Sequence, residues 1–240
     1  MISNEHKIQL LPFKLFNLFA VVLISSAWAF GSQPSPIKCV KFYQNETLVI
    51  WDGSSDDVQV NRNGSIETYA LTDHPIETIL SDHGLTKDNF NSLVRGNVLD
   101  AGTGGGGLVS FLSKAGFNVH GIDLVLRDFQ IAKPDLFSKQ DMTELKFDSE
   151  SFDTILSTWS VLSYESDKIY RNSTHSKTLS LDVLRELKRV LKVGGIILIS
   201  PLSSFSGFEQ IVQEIGGLEI IRKISVPNMR ANAVVIQKLK

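Results

Sequence analysis

The chain has 240 residues, of which 42% are hydrophobic and 21% charged, and its net charge is -2 at pH 7. This balance excludes a wholly disordered chain and a protein built of many membrane spans, and leaves room for one α/β domain with an N-terminal extension. A near-neutral total without a Lys- or Arg-dense run gives no support to phosphate-backbone binding, so nucleic acid is not an expected partner. The single cysteine, Cys39, precludes an intrachain disulfide, and the five histidines offer no pair at ligand spacing, so no metal site is expected.

Leu15 to Phe30 is apolar except for Asn17, Ser25 and Ser26, with Lys7 and Lys14 ahead of it and Ala27-Trp28-Ala29 near its end. A positive flank, a short apolar stretch and small residues are the layout of a secretory signal peptide. A membrane anchor counted from residue 8 to 30 is the second reading, and a buried or surface-lying helix the third. Residues 1–30 are therefore expected to be a signal peptide or anchor, with export or membrane contact as the consequence.

Residues 31–95 read as a linker followed by a β-rich and helical extension. β-prone runs at Lys38 to Tyr43, Thr47 to Trp51 and Asp57 to Val60, with Asp52-Gly53 and Asn63-Gly64 as turns, predict a small meander. Pro75 to Ser81 and Thr86 to Leu93 predict short helices covering the edge of a sheet or a ligand.

From Asn97 apolar strands alternate with helices, as in a parallel sheet covered on both faces. Strands are expected from Val98-Leu99, at Val119 to Ile122, at Phe152 to Leu156 and at Ile196 to Ser200. Leu108, Phe111 and Leu112 predict the apolar face of the first helix. Leu184, Leu187 and Leu191 predict a later helix that stops at Gly194-Gly195. Leu218 to Val226 and Ala233 to Leu239 close the chain as two β runs.

Asp100-Ala101-Gly102-Thr103-Gly104-Gly105-Gly106-Gly107 follows a strand and opens a helix, so the backbone can turn tightly and approach a ligand. Asp123 ends the next strand, 21 residues after Gly102, where a carboxylate can accept both hydroxyl protons of a ribose. A nucleoside-containing cofactor is expected. Gly102, Gly104 and Gly107 also satisfy dinucleotide spacing, which keeps a nicotinamide cofactor in view.

Val98 to Gly104, with its acid just before the first glycine, resembles the first motif of the class I S-adenosylmethionine (SAM) dependent methyltransferases of the type 11-like kind. Asp141-Met142 with Ser151-Phe152-Asp153, and Leu184 to Gly195, are similar to two later segments of that family. The resemblance covers residues 96–240. It implies a Rossmann-like, seven-stranded, mostly parallel sheet with an antiparallel last strand, in a three-layer α/β/α arrangement, and SAM as cofactor. It further implies that Asp100, Gly102, Gly104 and Gly106 surround the methionine part, and that Asp123 holds the ribose. Leu124 would lie beside the adenine, Asp141 and Met142 would finish its pocket, and Ser157 would stand near the sulfonium. Val193 departs from the proline common at its place.

Methyl transfer is a direct displacement that needs alignment more than a dedicated base. Trp159 and Tyr164 are candidates to line an acceptor pocket or to be core. His175 is either a base or a solvated loop histidine. With no macromolecule-binding module evident, a small-molecule acceptor is expected. A non-catalytic binding module on the same fold is the alternative, and export away from cytosolic SAM favours it. A nicotinamide-dependent oxidoreductase is the second, opposed by Asp100 and by the lack of a Tyr-x-x-x-Lys constellation.

Overall fold

Alternate residues of the strands in the C-terminal part face opposite ways, and both faces are apolar, so two cores form on one sheet. The computed structural model describes residues 39–43, 47–51, 57–62, 64–70, 80, 82–85, 89–170, 173–202, 204–225 and 232–240. The expected signal peptide or anchor, and the linker up to residue 38, lie outside the described residues. Among the described residues no helix is long and apolar enough to cross a membrane.

Four strands come first: β1 (Cys39–Tyr43), β2 (Thr47–Trp51), β3 (Asp57–Arg62) and β4 (Ser65–Ala70), an antiparallel meander in chain order. The three expected runs are all present, and Ser65–Ala70 adds a fourth. Arg62 pairs with Ser65 across a turn in which Gly64 takes a φ of +83° and donates its N–H to Asn61 Oδ1 at 3.0 Å. The Asp52-Gly53 turn lies outside the described residues. So does nearly all of the helix expected at Pro75 to Ser81. The one expected at Thr86 to Leu93 is α1 (Phe90–Leu93), a single turn.

The second sheet begins with β5 (Asn97–Ala101), followed by α2 (Gly107–Lys114), β6 (Asn118–Asp123), α3 (Asp128–Ile131) and β7 (Phe137–Lys139). Then come β8 (Phe152–Thr158), α4 (Val161–Tyr170), α5 (Thr174–Val190), β9 (Leu191–Leu202), α6 (Phe205–Ile215), β10 (Leu218–Ser225) and β11 (Asn232–Lys238). The spatial order is β10-β11-β9-β8-β5-β6-β7. β5 to β9 run parallel, and β11 runs antiparallel to both β9 and β10. The seven-stranded sheet with a reversed last strand stands as the sequence predicts.

One face carries Leu99, Ala101, Ile155, Ile197, Ile199, Val234 and Ile236, packed with Leu162 of α4, Leu184 and Leu187 of α5 and Phe208 of α6. Their neighbours Val98, Leu156, Ile196, Leu198 and Val235 face the other way, against Leu108, Val109 and Leu112 of α2 and against Leu85 and Val94. Each fully buried Leu or Phe contributes about 1.5–3 kcal/mol, and strands buried on both faces explain their near-continuous apolar runs.

Two expectations on the helices need correction. Phe111 is not part of the apolar face of α2: Val109 takes that place, and Phe111 lies 36% exposed, edge-on to Phe90. α5 ends at Val190, not at Gly194-Gly195. Leu191 has already turned to an extended conformation and pairs with Phe152, so Leu191 to Gly195 belong to β9. Strand pairing with β8 outweighs the helical spacing of the leucines.

Candidate functional site

Asp100 stands in register with Gly121 of β6 on one side and Leu156 of β8 on the other. From β5 the chain runs outward to β6 and β7, then returns to β8 on the opposite flank. The carboxyl end of β5 is thus the point where strand order reverses, and a crevice for a ligand is expected there.

The glycine loop spans this point. Gly102 N–H and Thr103 N–H both donate to Ile122 O at 2.9 Å, which closes the turn onto β6. Gly102 takes a φ of +91°, and a Cβ there would lie 2.8 Å from Ser160 Cβ and 3.2 Å from Met142 Cε. At Gly106, φ +80°, a Cβ would lie 2.9 Å from the Phe137 ring. Both positions therefore need glycine for conformation and for space. Gly104 is held from both sides: its N–H donates to Asp123 Oδ2 at 2.9 Å, and its carbonyl accepts from Gln130 Nε2 at 3.0 Å. Gln130 is wholly buried, and its Oε1 accepts from Arg127 N–H at 2.8 Å, so the start of α3 is tied to the loop.

Asp123 Oδ1 accepts from Leu124 N–H at 2.7 Å and from Val125 N–H at 3.4 Å. Burial raises its pKa to about 6, and the three backbone N–H groups oppose that shift. Asp100, 2% exposed, is raised to about 7, first by burial and also by the charge of Asp123. The nearby Thr103 hydroxyl lowers it without closing a hydrogen bond of good geometry. Each carboxylate keeps lone pairs for a ligand. Two acids at one loop suit a ligand carrying a cation and a diol, and they disfavour a pyrophosphate.

Asp123 pairs with Lys139, and Gln140 N–H donates to Asp123 O at 3.0 Å, so Asp141 follows at the adjacent carboxyl end. Asp141 Oδ1 accepts from Thr143 N–H and Oγ1, both at 2.9 Å, which fixes its own turn. Met142 packs on the first core beside Gly102. The loop that follows is clamped by α5. Arg189 donates to Phe147 O at 2.8 Å and Leu145 O at 2.9 Å, while Glu186 Oε2 accepts from Leu145 N–H at 2.9 Å.

At the end of β8, Ser157 is wholly buried, with its hydroxyl in a short hydrogen bond to Ser160. Trp159 has a left-handed φ of +49°, donates its N–H to Ser200 O at 2.8 Å and donates its indole N–H to Asp82 Oδ2 at 3.1 Å. His83 bonds through Nε2 to the Thr158 hydroxyl. Of the residues expected at the site, the structure gathers Asp100, Gly102, Gly104, Gly106 and Asp123 around the loop, with Leu124, Asp141 and Met142 beside it. Ser157 and Trp159 stand at the same carboxyl end of the sheet, at the end of the neighbouring strand β8. His175 is not in a loop: it is exposed on the first turn of α5. Tyr164 lies on α4, its side chain outside the described residues. Gln130, Ser160, Asp82 and His83 are the residues that sequence reading missed. Gln130 carries a faint signal in its three-residue spacing from Arg127, and the others carry none.

Residues 99–199 match the family model described as a methyltransferase domain. No curated protein matches the chain. Among solved structures, a protein from Pyrococcus horikoshii OT3 is 16% identical, with 72% of this chain and 94% of that chain covered at a TM-score of 0.53. A SAM-dependent methyltransferase from Aquifex aeolicus is 20% identical, with 70% and 95% covered at a TM-score of 0.50. At these identities the two structures speak for the fold. Residues 99–199 are thus similar to a methyltransferase domain, and the whole sheet shares the fold of these structures.

Proposed function

We propose that this chain transfers the methyl group of SAM to a small-molecule acceptor, with the cofactor seated over the glycine loop. The observation that supports it best is the Asp123 carboxylate, bonded to Gly104 at 2.9 Å and set beside Asp100 at the strand-order reversal. SAM supplies an electrophilic methyl on a sulfonium together with an ammonium and a ribose diol. In this reading Asp100, Gly102, Gly104 and Gly106 surround the methionine part, and the Asp100 charge faces the ammonium. Asp123 accepts the ribose hydroxyls with its remaining lone pairs, Leu124 packs beside the adenine, and Asp141 with Met142 completes that pocket. Ser157, through Ser160, supports the Gly102 turn at the sulfonium end. The protein's work is then alignment and the exclusion of water. Bringing a cation to Asp100 favours its ionised form, so cofactor binding releases protons near neutral pH.

Calorimetric titration of SAM and S-adenosylhomocysteine (SAH) into the full chain tests this. Micromolar binding is expected, weakened about 10- to 100-fold in Asp123→Ala, which loses charge-assisted bonds to the ribose. Unchanged affinity in Asp123→Ala would sink the assignment. SAM binding with no SAH formed in the presence of any small nucleophile would favour the non-catalytic module.

A further inference from the structure

We propose that His120 is a positioning residue for the adenine end of the site: through Ser138 and Gln140 it closes the neck of the loop that carries Asp141 and Met142, and only its neutral imidazole does so. This rests on the cofactor reading above. The loop leaves β7 at Gln140, whose N–H donates to Asp123 O at 3.0 Å, and it turns where Glu144 N–H donates to Asp141 O at 3.0 Å. Its neck is closed by a side chain: Gln140 Oε1 accepts from Lys146 N–H at 2.8 Å. Gln140 Nε2 donates in turn to Ser138 Oγ at 2.7 Å, and Ser138 Oγ lies 2.8 Å from His120 Nε2. His120 Nδ1 lies 3.2 Å from Asp135 O. Gln140 is 8% exposed, so water is a poor substitute for its partners.

Both ends of this chain of bonds are backbone groups of fixed sense. Lys146 N–H can only donate and the Asp135 carbonyl can only accept, so the direction of every bond between them is set. Gln140 presents its oxygen to Lys146 and its amide N–H to Ser138. His120 carries its proton on Nδ1, which leaves Nε2 to accept from the Ser138 hydroxyl. A second proton turns Nε2 into a donor. Ser138 then faces two donors and its own O–H loses its acceptor, so a closed neck and a charged imidazole oppose one another. Burial, opposed by the Asp135 carbonyl, holds the His120 pKa below its usual 6.5, the direction that a closed neck requires. By strand register Asp100, Asp123 and Lys139 lie on the opposite face of the sheet. The charges of the loop and of α5 are engaged among themselves, Lys146 with Glu144 at 2.7 Å, Arg189 with Glu186 at 2.9 Å and Asp141 with Thr143, while Asp135 and Asp148 reach solvent.

SAH is titrated calorimetrically into the full chain at about pH 7.5 and about pH 5. The acids of the glycine loop contribute to any pH dependence, and variants that keep them isolate the share of His120. His120→Leu removes donor and acceptor together and is expected to weaken SAH about tenfold at the higher pH, the worth of one buried hydrogen bond. His120→Gln returns an acceptor that takes no proton, and it should recover most of that loss. Toward the lower pH the unaltered chain should lose at least about threefold more affinity than His120→Gln, because only the imidazole gains a proton there. By reciprocity SAH must weaken the hold of His120 on that proton. The imidazole nitrogen resonances of the unaltered protein, titrated with and without SAH, read this even where a variant does not fold, and they show which nitrogen carries the proton. Undiminished affinity in His120→Leu, no recovery in His120→Gln, equal pH profiles, a proton on Nε2, or a proton affinity that SAH leaves unchanged would each overturn the proposal. Failure of the unaltered chain to bind SAH at the higher pH would instead overturn the cofactor reading on which it rests.

Discussion

Gly102 shows how much one missing Cβ carries. Gly102→Ala places a methyl 2.8 Å from Ser160 Cβ in a backbone at φ +91°, and it is expected to cost about 1–3 kcal/mol of stability and at least about tenfold in SAH affinity. Gly116→Ala is the control: φ is +89° with nothing within 4 Å of the added carbon, so strain alone acts and SAH affinity stays unchanged. Calorimetry and denaturant unfolding of both variants check this. The acids and glycines of the loop were legible because a strand, a tight turn and a helix fix their spacing within one short segment. Asp82 and His83 were not, because their partners Trp159 and Thr158 are 77 and 75 residues distant and no local pattern records such a pairing.

At the scale of elements, α5 does more than cover the sheet. Its Glu186 and Arg189 pair at 2.9 Å and together hold the backbone at Leu145 and Phe147, downstream of Asp141 and Met142. Arg189→Gln is expected to cost about 1–3 kcal/mol through the carbonyls it leaves unpaired. It should also weaken adenosine and SAH by the same factor, since both enter the adenine end; calorimetry with both ligands reads this, and a loss confined to SAH would place the effect elsewhere. The strands with near-continuous apolar runs were readable from sequence. β7, three residues long, is too short to show a period, and the end of α5 was misplaced because Leu191 keeps helical spacing while its backbone already pairs with β8. α6 was not anticipated, although Phe208, Ile211 and Val212 follow helical spacing and are buried.

The whole molecule feels two buried groups in opposite directions. Asp100, raised from 3.8 to about 7, keeps its proton in the native state after the unfolded chain has lost it. Its contribution is complete below about pH 4 and is lost as pH rises toward 7. His83, lowered from 6.5 to about 3, refuses a proton that the unfolded chain accepts, so stability is lost as pH falls below 6.5. Between those limits the slopes oppose, each up to about 1.4 kcal/mol per pH unit. Relative to the parent, Asp100→Asn should therefore gain stability as pH rises from 4.5 to 6.5, and His83→Phe should lose it. Denaturant midpoints across that range check the sign, and parallel profiles would refute both assignments. The fold class was legible at this scale because four separate segments agree in order, whereas the depth of burial that tunes these groups is a property of the packed whole. The order of strands has a consequence for assembly as well. β11 follows β10 in the chain yet lies between β10 and β9, so β10 emerges from the ribosome with no neighbour to pair with. The nascent domain can close its hydrogen-bonded ladder only once Asn232–Lys238 have cleared the exit tunnel, and until then the flank of β9 stands as an open edge for chaperones to guard.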